Sequence, residues 1–509
     1  MSSNPGWTIR LHEADNVVTA KETIPINTHI ASEGMTTTME IPVGHKVATK
    51  AIGTGEAVRK YDQIIGFATS TINPGAHVHT QNVEMKAFDR DYKFGEDAKP
   101  TKYVPDIQKA TFKGIQRPDG RVATRNYIGI LTSVNCSATA ARYIAEAFPA
   151  NALSDYPNVD GVVAYTHGTG CGMAGSGLGW ELLQATIDGY KRHPNFASLL
   201  MVGLGCEVNQ VAGMMERHGW TQDGTFQAMT IQDTGGTMAT VQEGIARVKE
   251  MLPEANKATR ETLPASHLKL GLECGGSDAY SGISANPSLG AAADLLVQHG
   301  GTAILAETPE IYGAEHLLTR RAESREVGEK LIKFIKWWED YTERNGAEMN
   351  NNPSPGNKAG GLTTILEKSL GAAAKGGTTN LVDVYQYAEE VTGKGFTFMN
   401  TPGYDVTSVT GMVAGGANVV CFTTGRGSVF GCKPVPSIKL ATNTAMYKHM
   451  SEDMDINCGL VVDGEKNVPE MGQEIFDVIL KIASGEQSKS EALGFGGDEF
   501  VPWQIGAIM

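Results

Sequence analysis

The sequence predicts an α/β protein in which a small all-β module precedes domains built on parallel sheets. Three observations carry that prediction. Residues 1–95 hold short β-branched stretches (TIRLH, NVVTA, IPVGHKVATKAI, IIGFATSTI) punctuated by Gly, Pro or Asn, with no helical period. From about Gly114 onward, apolar strands alternate with helix-length amphipathic stretches, the pattern of βαβ units. The chain also has 509 residues, more than one hydrophobic core usually serves.

The elements follow in order. The β module closes on Gly75-Ala-His-Val-His-Thr-Gln-Asn82, and a charged, Pro-containing linker covers 96–113. A first α/β domain spans 114–262. In it YIGILTSV precedes SATAARYIAEAF, GVVAYTHG leads to WELLQATIDGYKRH, and SLLMVGLG is followed by VQEGIARVKEML. A polar break, PEANKATRETLPAS, separates it from a second α/β domain over 263–509, with strands LKLGLE, GTAILAET, NLVDVY, FTFMNT and ANVVCFTT. VGEKLIKFIKWWEDYTERNG is the clearest amphipathic helix, and GQEIFDVILKIASG is another.

Composition narrows the function classes. The net charge of −14 argues against nucleic acid or an anionic membrane as partner, so an anionic ligand needs a local cation. The polar N-terminus lacks the apolar core of a signal peptide, and no run approaches a membrane span. The seven cysteines are therefore expected to be reduced thiols in a cytoplasmic protein. The 60 glycines follow no repeat and cluster beside Cys, Ser, Asp and Asn after apolar runs, where loops approach a ligand closely. Gly168–Gly175 comes nearest to a dinucleotide fingerprint but lacks the supporting acid, and no P-loop occurs.

Chemistry concentrates at strand ends. Cys136, Cys171, Cys206 and Cys274 each stand just past a strand, on the edge where parallel sheets bind ligands. Singly, each reads as packed core; as a set of four they point to a shared thiolate metal site. Cys421, within a strand, reads as core, and Cys432 and Cys458 fit either reading. His167 in THGTGC is a base, a metal ligand, a substrate donor or a capped loop histidine. Asn209 follows Cys206 in a polar cluster. Ser277, Asp278 and Asn286 form a group suited to a polyhydroxylated ligand, and Asn357 and Lys358 sit in the pre-shaped loop NPSPGNKAGG. Arg426 follows a strand and suits bidentate capture of a carboxylate, or a surface ion pair. His77 and His79 face one side of a strand and suit a metal or an anion, and His45-Lys46 forms another cluster.

Taken together, RPDGRVATRN, THGTGC, VGLGCE, LECGGSDAYSGISANP, NPSPGNKAGG, FTTGRG and IKLATN resemble the altronate and galactarate dehydratase family of sugar-acid lyases. The module with AHVHTQN resembles that family's SAF-type β-clip domain. The resemblance implies a metal-dependent hydro-lyase that converts an aldonate or aldarate to a 2-keto-3-deoxy acid. It implies Fe2+ or a similar divalent metal such as Mn2+ as cofactor, and the chemistry of the thiolates leaves an iron–sulfur cluster as an alternative. His77 and His79 are closer to the altronate branch, whereas ETLPASHLKLGLE is as close to the galactarate branch. Related sulfo-lyases share the architecture, so a hydroxy-sulfonate remains an alternative substrate. In the expected mechanism the four thiolates hold iron and Arg426 and Lys358 grip the carboxylate. Asp278, Asn286 and Asn209 bind hydroxyls, with Ser277 and Asn357 beside them, and His167, His77 or His79 moves the proton. A non-catalytic sugar-acid binding protein and a nucleotide-dependent oxidoreductase are the readings from other classes. A homodimer is expected.

Overall fold

The computed structural model describes residues 6–86, 90 and 92–508. Residues 6–86 form the all-β module and contain no helix. Val17–Ala20 is central, paired antiparallel with Thr8–Ile9 and Lys46–Ala48, and His77–Val78 extends the sheet. Its neighbouring residues serve two small cores. Val17 and Ala48 pack with Val58 and Ile65, while Val18 and Val47 pack with Ile24 and Ile41. Burial on both faces explains why these strands read as continuous β-branched runs without polar alternation.

The next domain is a four-stranded parallel sheet, in the order Gly161–Tyr165, Tyr127–Thr132, Phe196–Gly203, Phe226–Thr230. The central strand is buried throughout. Ile128 and Ile130 face the core shared with helix Ala138–Glu146, and Tyr127 and Leu131 face the opposite one. Thr111–Gln116 and Glu261–Pro264 pair antiparallel where the chain enters and leaves this domain. The end of the linker and Glu261–Pro264 within the polar break are thus strand, formed by a pairing about 150 residues apart in sequence that local pattern does not show.

The C-terminal domain carries a seven-stranded parallel sheet. Its order is Leu381–Tyr385, Gly395–Met399, Thr302–Leu305, Lys269–Cys274, Val419–Thr424, Ser437–Ala441, Ile456–Asn457. The first strand in sequence, Lys269–Cys274, lies at the centre, between Thr302–Leu305 and Val419–Thr424. The strand order reverses there, so the loops beyond these carboxyl ends open a crevice suited to a ligand.

The β module docks on this domain through buried ions. Lys46 donates to Glu367 at 2.8 Å and to the Gly361 carbonyl, and Lys60 reaches the same carboxylate at 3.0 Å. Near the C-terminus, Trp503 stacks on Trp338 with centroids 5.3 Å apart, and Ile508 bridges to Met173 of the four-stranded domain. Among the described residues no helix is long and apolar enough to cross a membrane.

Candidate active site

At the reversal point a cavity of about 460 Å³ is lined by Gly275, Glu310, Asn352, Asn357, Lys368 and Asp405, among others. They come from the connections that follow three strands, Lys269–Cys274, Thr302–Leu305 and Gly395–Met399. Glu273 and Cys274 end the central strand, and Glu307 and Glu310 follow Thr302–Leu305. Lys368 and Lys375 lie on and just after helix Ile365–Ala373. Asp405 opens helix Asp405–Ala414.

These groups form a buried acid–base network. Lys368 donates to Glu310 at 2.6 Å and to the Asn352 side chain at 3.0 Å. Lys375 contacts the Cys274 sulfur at 2.8 Å and Glu307 at 2.9 Å. Glu307 adopts φ 68°, a strained backbone for a non-glycine residue and one that clusters at functional sites. Burial and the neighbouring Glu307 raise the Glu273 carboxyl well above its ordinary value. Glu273 therefore keeps its proton and shares it with Glu307, whose Oε1, like that of Glu273, has no other partner. Lys375 holds Glu307 low against the effect of burial. Burial, then Glu307, raises Glu310. Asp405 is pushed up to about 7 by burial and by Glu307 and Glu310. Its carboxylate has no side-chain partner among the described residues and lines the cavity, so it is a proton carrier matched to neutral pH.

Gly275 makes room for that carboxylate. A Cβ there would overlap Asp405 Oδ2 and stand 2.6 Å from Phe422 Cζ. Gly275→Ala is expected to lower kcat by about 10²-fold by displacing Asp405, with an unchanged circular dichroism spectrum. Wild-type kcat in this variant would mean that Asp405 is not held by this contact.

The structure redistributes the residues singled out from sequence. The four thiols do not share one site. Cys136, Cys171 and Cys206 are exposed on the four-stranded domain, whereas Cys274 is buried in the C-terminal domain against Lys375, Glu307 and Glu310. The two domains are built on separate sheets, so strand-end placement put the fourth thiol on a different edge. His167 is buried, donates Nε2–H to the Thr132 carbonyl and accepts from Thr169 N–H, leaving no ring nitrogen for a substrate. Asn209 bonds Gln184 and the Ser133 carbonyl, and Asn286 bonds Gly371 and Thr423, so both amides are internal ties. Asp278 is enclosed by Thr442, Ser281 and Asn443 and braces the loops beside the cavity. Asn357 ties its own helix N-terminus to the Ser277 carbonyl while lining the cavity. Lys358 is half-buried and Arg426 exposed, and neither makes an ion pair among the described residues. Lys358 follows the lining residue Asn357 in sequence, and Arg426 N–H donates to the carbonyl of the lining residue Gly276 at 2.8 Å.

His77 and His79 meet His45 at the junction with the loop NPSPGNKAGG, with ring centroids 4.7–5.5 Å apart. His45 Nε2 lies 3.3 Å from the Ala359 carbonyl and His79 Nε2 lies 2.9 Å from that of Lys358. Both therefore donate Nε2–H and leave Nδ1 as the acceptor nitrogen: His45 Nδ1 lies 2.9 Å from His77 Nε2, and His79 Nδ1 lies 3.1 Å from the Thr80 hydroxyl. Burial lowers all three, His77 to about 4, so they are neutral. Two acidic sets are also compact, Cys274 with Glu307 and Glu310, and Glu273 with Glu307 and Asp405. Lys375 already stands within the first, and the second shares a proton. The three imidazoles supply nitrogen donors of the kind a borderline divalent metal takes, with ring nitrogens that do not all lie within 4.8 Å of one another.

Sequence reasoning missed Glu307, Glu310, Lys368, Lys375 and Asp405 as site residues. Strand-end logic, applied to the cysteines alone, would have reached Glu307 after GTAILAE and Asp405 after FTFMNTPGY.

A β module set on an α/β domain, with a titratable cluster at its sheet reversal, defines an enzyme architecture of the strand-end type. The chain belongs to the altronate/galactarate dehydratase family. Residues 7–86 match the altronate/galactarate dehydratase SAF domain, 114–256 the D-galactarate dehydratase/altronate hydrolase second domain, and 265–508 the D-galactarate/altronate dehydratase C-terminal domain. It is 34% identical to the altronate dehydratase of Bacillus subtilis over 490 residues, covering 96% of this chain and 97% of that one. It is 35% identical to the L-threo-forming galactarate dehydratase of Escherichia coli over 492 residues, 94% and 93% of the two chains. It is 31% identical to the (2R)-sulfolactate sulfo-lyase subunit beta of Chromohalobacter salexigens over 393 residues, 76% of this chain and 96% of that one.

Proposed function

We propose that this protein is a hydro-lyase that removes water from an aldonate or aldarate to give a 2-keto-3-deoxy acid, with the cavity at the C-terminal sheet reversal as its reaction site. One observation carries the reading: Asp405, its carboxyl pushed up to about 7, lines a polar cavity that Lys368 and Glu310 also line. Lys358 and Arg426 capture the substrate carboxylate, which the acidic surface otherwise repels. Asp405 accepts the proton α to that carboxylate. The Lys368 ammonium lies beside the resulting enediolate charge. Glu310, whose carboxyl burial and Glu307 raise, protonates the departing β-hydroxyl, so that water leaves and the enol becomes the keto acid. The proton shared by Glu273 and Glu307 and the Lys375 ion pair keep this network in register.

His45, His77 and His79 would hold Fe2+ or Mn2+, and a metal bound there supplies Lewis-acid polarisation of a carboxylate or hydroxyl oxygen. His77→Ala is expected to weaken binding of Fe2+ at least 10–100-fold, about the cost of disturbing a metal's supporting shell, as read by equilibrium dialysis with metal analysis. Retained iron in this variant, with iron lost in Glu273→Gln, would place the metal among the carboxylates instead.

The functional test is anaerobic incubation with altronate, galactarate and (2R)-sulfolactate, reading keto acid and sulfite. Keto acid from a sugar acid, without sulfite, supports the assignment. Sulfite release from sulfolactate, or no turnover of any sugar acid, overturns it.

A further inference from the structure

We propose that Cys136, Cys171 and Cys206 hold an iron–sulfur cluster on the strand-end edge of the four-stranded domain, separate from the reaction cavity. The three thiols follow three adjacent strands, Tyr127–Thr132, Gly161–Tyr165 and Phe196–Gly203. Their loops are tied to one another. Asn135 N–H donates to the Thr169 carbonyl at 3.0 Å, Asn209 N–H to the Gly170 carbonyl at 3.0 Å, and the Asn209 amide to the Ser133 carbonyl at 2.9 Å. The internal ties of Asn209 thus brace the loops that carry the thiols.

Two glycines fix the presentation. Gly170 and Gly205 precede Cys171 and Cys206 at φ 102° and 126°, a backbone that other residues rarely adopt. A Cβ on Gly170 would overlap the Ser133 carbonyl, and one on Gly205 would press against the Gln232 side chain. These three cysteines are the exposed ones, while Cys274, Cys421, Cys432 and Cys458 are buried. Packing therefore does not account for them. The Cys136 thiol lies beside that of Cys171 and also faces that of Cys206. Gln232 donates its amide to the Cys206 sulfur at 3.2 Å, a contact of the kind that tunes cluster thiolates.

The geometry favours a cluster over one ion. Four bonds of about 2.3 Å to a tetrahedral ion would bring its sulfurs to about 3.8 Å apart. The sulfurs of the trio do not all lie within 4.8 Å of one another. Three thiolates suit a cubane with one iron left open. The inference does not depend on the reaction assigned to the Asp405 cavity, because it concerns other residues on another sheet.

The test is reconstitution of the anaerobic full-length protein with ferrous iron and sulfide. The expected result is the broad visible absorbance of a cluster, with about four irons and four sulfides per chain. Mass spectrometry after alkylation should show Cys136, Cys171 and Cys206 modified in the apo chain and protected after reconstitution. Cys136→Ser, Cys171→Ser and Cys206→Ser should each abolish the absorbance with an unchanged circular dichroism spectrum, while His77→Ala retains it. Iron bound without sulfide, a cluster that survives all three serine variants, or full alkylation of the reconstituted wild-type chain would each overturn the proposal.

Discussion

Asp405→Asn is expected to lower kcat/KM for the sugar acid by about 10²–10⁴-fold, the usual contribution of a positioned general base. In the wild-type enzyme kcat/KM should rise with pH through about 7 and then level, because only the ionised carboxylate accepts the proton. The residual activity of the variant should lose that rise. The same group predicts a stability change of opposite sign. The folded state raises Asp405 from 3.8 to about 7, so it favours the protonated form. Its stabilising contribution is complete below the unfolded value and is lost as pH rises through about 7. Asn keeps the neutral form at every pH. At pH 8 the variant should therefore be more stable than wild type, by up to about 4 kcal/mol, seen as a higher melting temperature. Wild-type activity, or an inactive variant that is also less stable at pH 8, would remove Asp405 from its assigned role.

Glu367→Gln is expected to destabilise docking of the β module by about 3–5 kcal/mol, the cost of breaking a buried ion network. Lys46 and Lys60 are 0% and 1% exposed, and both rely on this carboxylate. Burial alone would raise Glu367, but the two ammonium groups hold it at about 2. The stability this confers is present above its unfolded value of 4.5 and is lost as pH falls toward 2. Urea unfolding followed by fluorescence should show an early transition for the variant near neutral pH. Wild type should move toward that behaviour between about pH 4 and pH 2. An unchanged first transition in Glu367→Gln would mean that apolar contacts alone hold the module. The apolar triple variant Lys46→Met, Lys60→Met, Glu367→Leu should recover much of the loss, because no buried charge is then left unpaired.

The sequence expectations and the structure part at identifiable residues. Many strands and helices are legible because they depend on local period. Helix Arg325–Arg344 and helix Val468–Ala483 fall where the amphipathic stretches place them. Glu261–Pro264 was hidden because its partner strand, Thr111–Gln116, is distant in sequence. His167, Asn209 and Asn286 read as ligand groups because short polar loops look alike whether their atoms face a cavity or a neighbouring carbonyl. Here those atoms are taken up by Thr132, Ser133, Gly371 and Thr423.

The sequence by itself determined the layout of a β module and two parallel-sheet domains, the family, and the cysteine-bearing strand ends. Those features follow from period, turn chemistry and motifs that lie within single stretches of chain. Only the tertiary structure decided which strand ends share an edge. Strand order placed Cys136, Cys171 and Cys206 together and sent Cys274 to another sheet. It also decided that Asp405 faces Glu307 and Glu310 across the cavity. Burial and mutual repulsion raise a carboxyl only when distant segments enclose it, and no local pattern encodes that enclosure.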